Sequence, residues 1–155
     1  LLEVLQRHGV RFVVIGGFAA IYHGSAHLTV DVDITPETSA DNFDRLSAAL
    51  TELDARVRTA GVDEPLPFAH DGPSLAKVAV WNLSTEHGDL DISVTPSGTA
   101  GYADLHRDAE EADVLGVRVE VASLADVIRS KEAAGRPKDQ LTLPTLRRLL
   151  DERDG

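Results

Sequence analysis

Residues 13–34 read VVIGGFAAIYHGSAHLTVDVDI. An apolar run, Val13-Val14-Ile15, meets two glycines, and two aspartates spaced by one residue close the stretch. The run, counted from Arg11, predicts a strand buried on both faces. Phe18 to His23 predicts a helix ended by Gly24. Val30 to Thr35 predicts a second strand, stopped at Pro36. On such a strand Asp31 and Asp33 share one face, about 6.7 Å apart, while Val30, Val32 and Ile34 enter the core. Two carboxylates side by side repel unless a cation lies between them, and two divalent ions about 3.5–4 Å apart suit that spacing. The plain alternative is one wet face of an edge strand, since D-x-D recurs by chance.

The glycines bear on that alternative. Where a buried strand turns into a helix, the N–H groups of Gly17 to Ala19 lack partners and carry the positive end of the helix dipole. Glycine lets an anion approach that backbone closely, which is the physics of a phosphate site. A tight strand-to-helix turn would use the same residues. Here, however, a phosphate site and a carboxylate pair are separated by one short helix, and a nucleoside triphosphate needs both. Asp91, in Gly88-Asp89-Leu90-Asp91-Ile92, supplies a third carboxylate if its strand neighbours that of Asp31 and Asp33, at a spacing of about 4.8 Å. Asp89 follows the turn glycine and reads as a solvated turn residue.

Around this stretch the elements are mixed. Leu1 to Leu5 predict the end of a helix closed near Gly9. Residues 41–57 predict a helix with Phe43, Leu46, Leu50 and Leu53 as its apolar stripe and Ser39 or Asp41 as cap. Residues 61–76, with three prolines and two glycines, read as loop. Lys77 to Leu83 and Leu90 to Val94 are strand-like, with a hairpin turn at His87-Gly88. Tyr102 to Ala112 predicts a helix and Val117 to Val121 a strand. Ser123, with Asp126 three residues on, opens another helix. A last helical region follows Pro137, broken or kinked at Pro144. The reading is an α/β (α+β) fold, a mixed sheet flanked by helices. Residues 1–122 form the core and 123–155 a C-terminal helical segment packed on it, one domain overall.

Composition excludes several classes. The 155 residues contain no cysteine, so disulfides and thiolate metal sites are ruled out. That usage leads us to expect a reducing, cytoplasmic setting. The chain opens at Leu1 rather than methionine, which raises the expectation of trimmed residues upstream; no signal-peptide pattern is present in what is given. The longest apolar run, Phe12 to Tyr22, is 11 residues and interrupted by glycine, too short to span a bilayer. The net charge of −11 argues against non-specific coating of nucleic acid. From Ser123 onward seven Lys/Arg face six Asp/Glu, a net of +1, against −12 for the first 122 residues. That tail could still meet a polyanion.

On the predicted Ser123 helix, Leu124, Val127 and Ile128 define one face and Lys131 extends it. An inward lysine calls for an anionic partner, either a triphosphate or a site carboxylate. A side chain snorkelling past the apolar rim is the alternative. Arg136, Lys138 and Asp139 surround Pro137 at the next helix start, where Asp139 could serve simply as a dipole partner. Arg129, Arg147 and Arg148 could meet an RNA backbone, and Trp81 reads as a core residue with a lesser base-stacking option.

The string G-G-x-A-A-x-x-H-G-S-x-x-x-T-x-D-x-D-I, followed by G-x-L-D-I, resembles the polymerase-β-like nucleotidyltransferase superfamily. The downstream stretch VASLADVIRSKEAAGRPKDQLTLPTLRRLL is similar to small toxin-type members of bacterial toxin–antitoxin systems, the AbiEii and MenT-like group. The resemblance implies the nucleotidyltransferase fold and a two-metal transfer of a nucleoside monophosphate. It implies that Asp31, Asp33 and Asp91 bind two divalent ions, Mg²⁺ or Mn²⁺, and that Asp91 takes the acceptor's proton. Gly16, Gly17, His27, Thr29, Lys131, Lys138 and Asp139 would bind the NTP, with Lys131 also catalytic. Family members commonly carry Arg where this chain has His27, a weaker phosphate partner. The implied acceptor is the 3′ end of tRNA, the implied protein partner a cognate antitoxin, with no membrane. Transfer of AMP to a partner protein, or a degenerate nucleotide-binding module, are the alternatives.

Overall fold

The computed structural model describes residues 1–26, 29 and 31–154. Its centre is a mixed sheet with strands in the order β4 (Leu66–Pro67), β3 (Arg56–Val57), β5 (Val80–Thr85), β6 (Gly88–Ser93), β2 (Val32–Pro36), β1 (Phe12–Ile15), β8 (Val117–Val121) and β7 (Glu110–Val114). Strand β1 (Phe12–Ile15) is the apolar run, with Val13 and Val14 fully buried. It pairs antiparallel with β2 (Val32–Pro36) on one side and parallel with β8 (Val117–Val121) on the other. A strand with neighbours on both edges and cover on both faces needs apolar residues throughout, which explains the lack of alternation. Strand β2 in turn pairs parallel with β6 (Gly88–Ser93), and β6 forms the predicted hairpin with β5 (Val80–Thr85).

Helices cover this sheet. They are α1 (Leu2–Arg7), α2 (Gly16–Tyr22), α3 (Ala40–Glu52), α4 (Gly72–Ala76), α5 (Tyr102–Arg107), α6 (Leu124–Ala134) and α7 (Pro137–Asp154). Ser39 caps α3 by accepting from the Asn42 N–H, and Phe43, Leu46 and Leu50 are buried. Burying each contributes roughly 1.5–3 kcal/mol. Asn42 is buried too, and its amide is satisfied. It donates to the carbonyls of Arg11 and Glu37 and accepts from the Arg11 N–H, tying α3 to the start of β1. Buried His23, just after α2, bonds the Ala122 carbonyl at 2.7 Å and lies 3.2 Å from an Arg153 guanidinium nitrogen. Burial, the main cause, holds its pKa below the ordinary imidazole value.

Several expected boundaries shift. The helix expected to reach residue 57 ends at Glu52; Asp54 takes a positive φ of 48°, and β3 (Arg56–Val57) pairs with β5 instead. The expected loop over 61–76 contains β4 (Leu66–Pro67) and α4, the latter closed by a capping box between Asp71 and Ser74. The helix expected over 102–112 stops at Arg107, and β7 (Glu110–Val114) follows as an edge strand against β8. Helix α7 runs through Pro144 unbroken, with Leu143 and Leu146 buried beside the proline. Their burial offsets the one backbone bond that proline removes. No described helix is long and apolar enough to cross a membrane.

Candidate active site

The sheet order brings the predicted carboxylates together. In the parallel β2–β6 pair, Asp33 stands opposite Asp91, flanked by Val32 opposite Leu90 and Ile34 opposite Ile92. Those apolar flanks are buried, so register and burial together fix both carboxylates on the other face. Asp31 lies just before β2 rather than within it, and lines the same cavity. Asp89 is not a free turn residue: it sits in β6 opposite Ser84 and faces Arg58.

The glycines are placed by sterics. Gly16 has φ of +64°, and a Cβ there would fall 2.8 Å from the Asp33 Cγ. A Cβ on Gly17 would fall 2.8 Å from the Thr29 Cβ. Both positions must therefore be glycine for the turn to close over Asp33 and Thr29. The Thr29 hydroxyl lies 3.4 Å from the Asp31 N–H. Helix α2 has only seven residues, so its dipole is short, and the role visible here is making room.

A cavity of about 690 Å³ opens over this cluster, lined by Gly16, Gly17, Thr29, Asp31, Asp33 and Asp91. Lys131 on α6, Lys138 on α7 and Arg136 in the connection between them also line it. Burial is the main cause that raises the Asp33 pKa to about 6, with the charges of Asp91 and Asp31 adding; Lys138 and Arg136 work against it. Burial also raises the Asp91 pKa; the Arg58 charge opposes it, and Asp31 and Asp89 reinforce it. A cleft that holds clustered carboxylates at such a cost suits a cation.

Lys131 is nearly buried, its side chain 15% exposed, and its partner is the fully buried Asp139 at 3.4 Å. Asp139 also accepts from the Arg136 Nε at 2.7 Å and from the Arg136 backbone N–H at 3.2 Å. Burial would raise the Asp139 pKa, but its hydrogen bond and charge pairing with Arg136, with Lys131 adding, bring it below the ordinary value. Asp139 is thus a buried clamp between α6 and the start of α7, behind the cavity wall. The expected position of His27 lies outside the described residues.

Two residues at the site escaped the sequence reading. Arg58 is ion-paired with Asp91 and reaches to 3.5 Å from Asp89, and Asn82 stands opposite Asp91 on β5. The alternation in Ala55-Arg56-Val57-Arg58 is the strand signal that could have found the first. Among the described residues no group of three His, Asp or Glu is arranged to hold a metal. The arginines that could meet an RNA backbone each have an acidic neighbour, and Arg147 and Arg148 stay exposed. Arg129 bonds Asp104 and Asp126, Arg147 lies 3.3 Å from Glu132, and Arg148 lies 4.0 Å from Glu152. Trp81 is half-buried, packs against Phe68 and donates to the Leu75 carbonyl, as a structural residue would.

No protein-family model matches the chain. No curated relative matches it in sequence. Solved structures share its fold. The lincosamide antibiotic adenylyltransferase LnuA, with lincomycin bound, superposes with a TM-score of 0.61 at 15% identity, over 96% of this chain and 92% of that one. The antibiotic-resistance factor ANT(2'')-Ia gives 0.59 at 16% identity, over 99% and 80%. The Thermotoga maritima protein TM1012 gives 0.52 at 16% identity, over 97% and 89%. The chain therefore has the nucleotidyltransferase fold, a mixed sheet flanked by helices.

Proposed function

We propose that this chain is a divalent-metal-dependent nucleotidyltransferase that moves a nucleoside monophosphate from an NTP to an acceptor hydroxyl and releases pyrophosphate. The observation that carries the reading is the in-register pairing of Asp33 with Asp91 beneath the Gly16-Gly17 turn, on the floor of one cavity. Asp31, Asp33 and Asp91 line one cavity, and carboxylate oxygens are the ligand type that Mg²⁺ and Mn²⁺ take, although the three are not gathered around one point in this structure. Asp31, Asp33 and Asp91 would hold the ions, which supply charge neutralisation at the phosphates. Gly16, Gly17 and Thr29 shape the floor, while Lys131 and Lys138 offer positive charge to the triphosphate across the cavity. Asp91, once free of Arg58, takes the proton from the acceptor.

The acceptor drawn from the sequence resemblance is the 3′ end of tRNA, in a toxin restrained by a separate antitoxin chain. A second reading has one observation in its favour. The body of the chain is acidic, with a net charge of −12 over the first 122 residues, which favours a small hydroxyl-bearing acceptor over a polyanion. The molecules named with LnuA and with ANT(2'')-Ia are lincomycin, a small molecule of that kind, and adenylyl-2''-tobramycin, a small molecule that already carries the adenylyl group.

Incubation with Mg²⁺, each α-labelled NTP and either total tRNA or a panel of lincosamides and aminoglycosides separates the two. Label on tRNA supports the first acceptor and label on a small molecule the second. No label on either kind of acceptor, nor on a whole protein extract incubated in parallel, sinks the enzymatic reading.

A further inference from the structure

Arg58 directly follows β3, and its backbone N–H donates to the Asn82 carbonyl at 2.9 Å, carrying the β3–β5 pairing one residue further. Asn82 stands opposite Asp91, and Asp91 opposite Asp33. Arg58, Asn82, Asp91 and Asp33 thus make one row across four neighbouring strands. Positions in one row share a face, so the long Arg58 side chain passes over Asn82 and meets the Asp91 carboxylate from the side away from Asp33.

The pairing there is lopsided. One Arg58 terminal nitrogen donates to Asp91 Oδ1, and the other lies 3.5 Å from Asp89 Oδ2. The Arg58 Nε is buried with no hydrogen-bond partner. Leaving a buried donor unpaired is unfavourable, so the guanidinium is held by the two carboxylates and not by a cradle of its own. Asp89 gives it a second resting place two residues back along β6, on the same face.

We propose that Arg58 is a tethered counter-cation for Asp91 that a divalent ion must displace, so that Arg58 sets the metal affinity of the site. The inference rests on the nucleotidyltransferase reading above. Arg58 occupies Oδ1 of a carboxylate that the metal set requires, and its charge repels a dication placed between Asp91 and Asp33. Metal entry therefore moves the guanidinium off Asp91 and onto Asp89, where half of the contact already exists. Among the described residues Arg58 is the cation that reaches Asp91 by hydrogen bond.

Isothermal titration of the nucleotide-free full chain with Mn²⁺ alone tests this, comparing wild type with Arg58→Gln, Arg58→Lys and Asp33→Asn. Arg58→Gln is expected to bind Mn²⁺ about tenfold more tightly than wild type, with Arg58→Lys in between because a lysine keeps the charge but loses the fork. Asp33→Asn is expected to lose binding. Circular dichroism confirms folding; if Arg58→Gln does not fold, tighter binding by Arg58→Lys carries the test. An Arg58 variant that folds and binds as wild type or more weakly, while Asp33→Asn still loses binding, overturns the role of Arg58 and leaves the site reading intact. If Asp33→Asn binds as well as wild type, the metal site itself is wrong and the inference falls with it.

Discussion

Gly16 and Asp33 leave no room between them: a Cβ on Gly16 would lie 2.8 Å from the Asp33 Cγ, and its φ of +64° is open to few residues but glycine. The strand-to-helix turn and the buried carboxylate are therefore one unit. Gly16→Ala is expected to lose about 2–4 kcal/mol of stability, from left-handed strain of roughly 1–2 kcal/mol plus overpacking of similar size. Nucleotidyl transfer should fall at least 100-fold because Asp33 is displaced. Gly61→Ala is the control, since Gly61 shares the positive φ but has nothing within 4 Å. Denaturant midpoints and transfer rates check both, and equal loss in the two variants would separate the turn from the site.

Asp139 links pH to stability. Its folded pKa is depressed, so its contribution is fully present above the unfolded carboxylate value and is lost as pH falls through the folded value. Asp139→Asn is expected to cost about 2–4 kcal/mol at pH 7, because it leaves Lys131 and the Arg136 backbone with a poorer buried partner. The gap between variant and wild type should close as pH drops below about 4. Urea melts at a series of pH values measure it; a gap that stays constant down to pH 2 would contradict the ion-pair clamp.

Lys131 faces the cavity while resting on Asp139, and Arg136 holds Asp139 as well. Lys131→Ala should therefore raise the KM for NTP by at least about tenfold, a loss of one charged contact to phosphate, with a smaller change in melting temperature. An unchanged KM would remove Lys131 from the nucleotide site.

Asn42 offers a test of the fold apart from the chemistry. Its buried amide makes three hydrogen bonds to backbone, and Asn42→Ala strands those groups at a cost of about 2–4 kcal/mol. Activity per folded molecule should stay the same. Thermal melts with an active-fraction assay check this, and a drop in specific activity would mean that α3 reaches the site.

How far the sequence reached follows from where each signal is stored. Val13 to Ile15, Val117 to Val121 and the hairpin around His87-Gly88 carry their own patterns, and they form β1, β8 and the β5–β6 turn. The Asp33–Asp91 pairing could be stated only as a condition, because which strands lie side by side is a tertiary fact. Strands β3 and β7 were absent from the reading for a related reason. Arg56-Val57 is two residues at the end of a helical pattern, and Glu110 to Val114 is an acidic run; both are made strands by their partners. Missing β3 meant missing Arg58, whose place at the site depends on the β3–β5–β6 register. Lys131 was legible as an inward lysine, but its partner, Asp139, was visible only once α6 and α7 met.

Under the proposed function, Asp33, beneath the Gly16 turn and beside Asp91, is required for metal-dependent nucleotidyl transfer. Pyrophosphate release from NTP by purified protein with total tRNA and the small-acceptor panel, in Mg²⁺ and in excess chelator, measures this for wild type and Asp33→Ala. Release by wild type in Mg²⁺, abolished by chelator and reduced at least 1,000-fold by Asp33→Ala in a folded protein, is the predicted result. Release that survives Asp33→Ala undiminished would contradict the account.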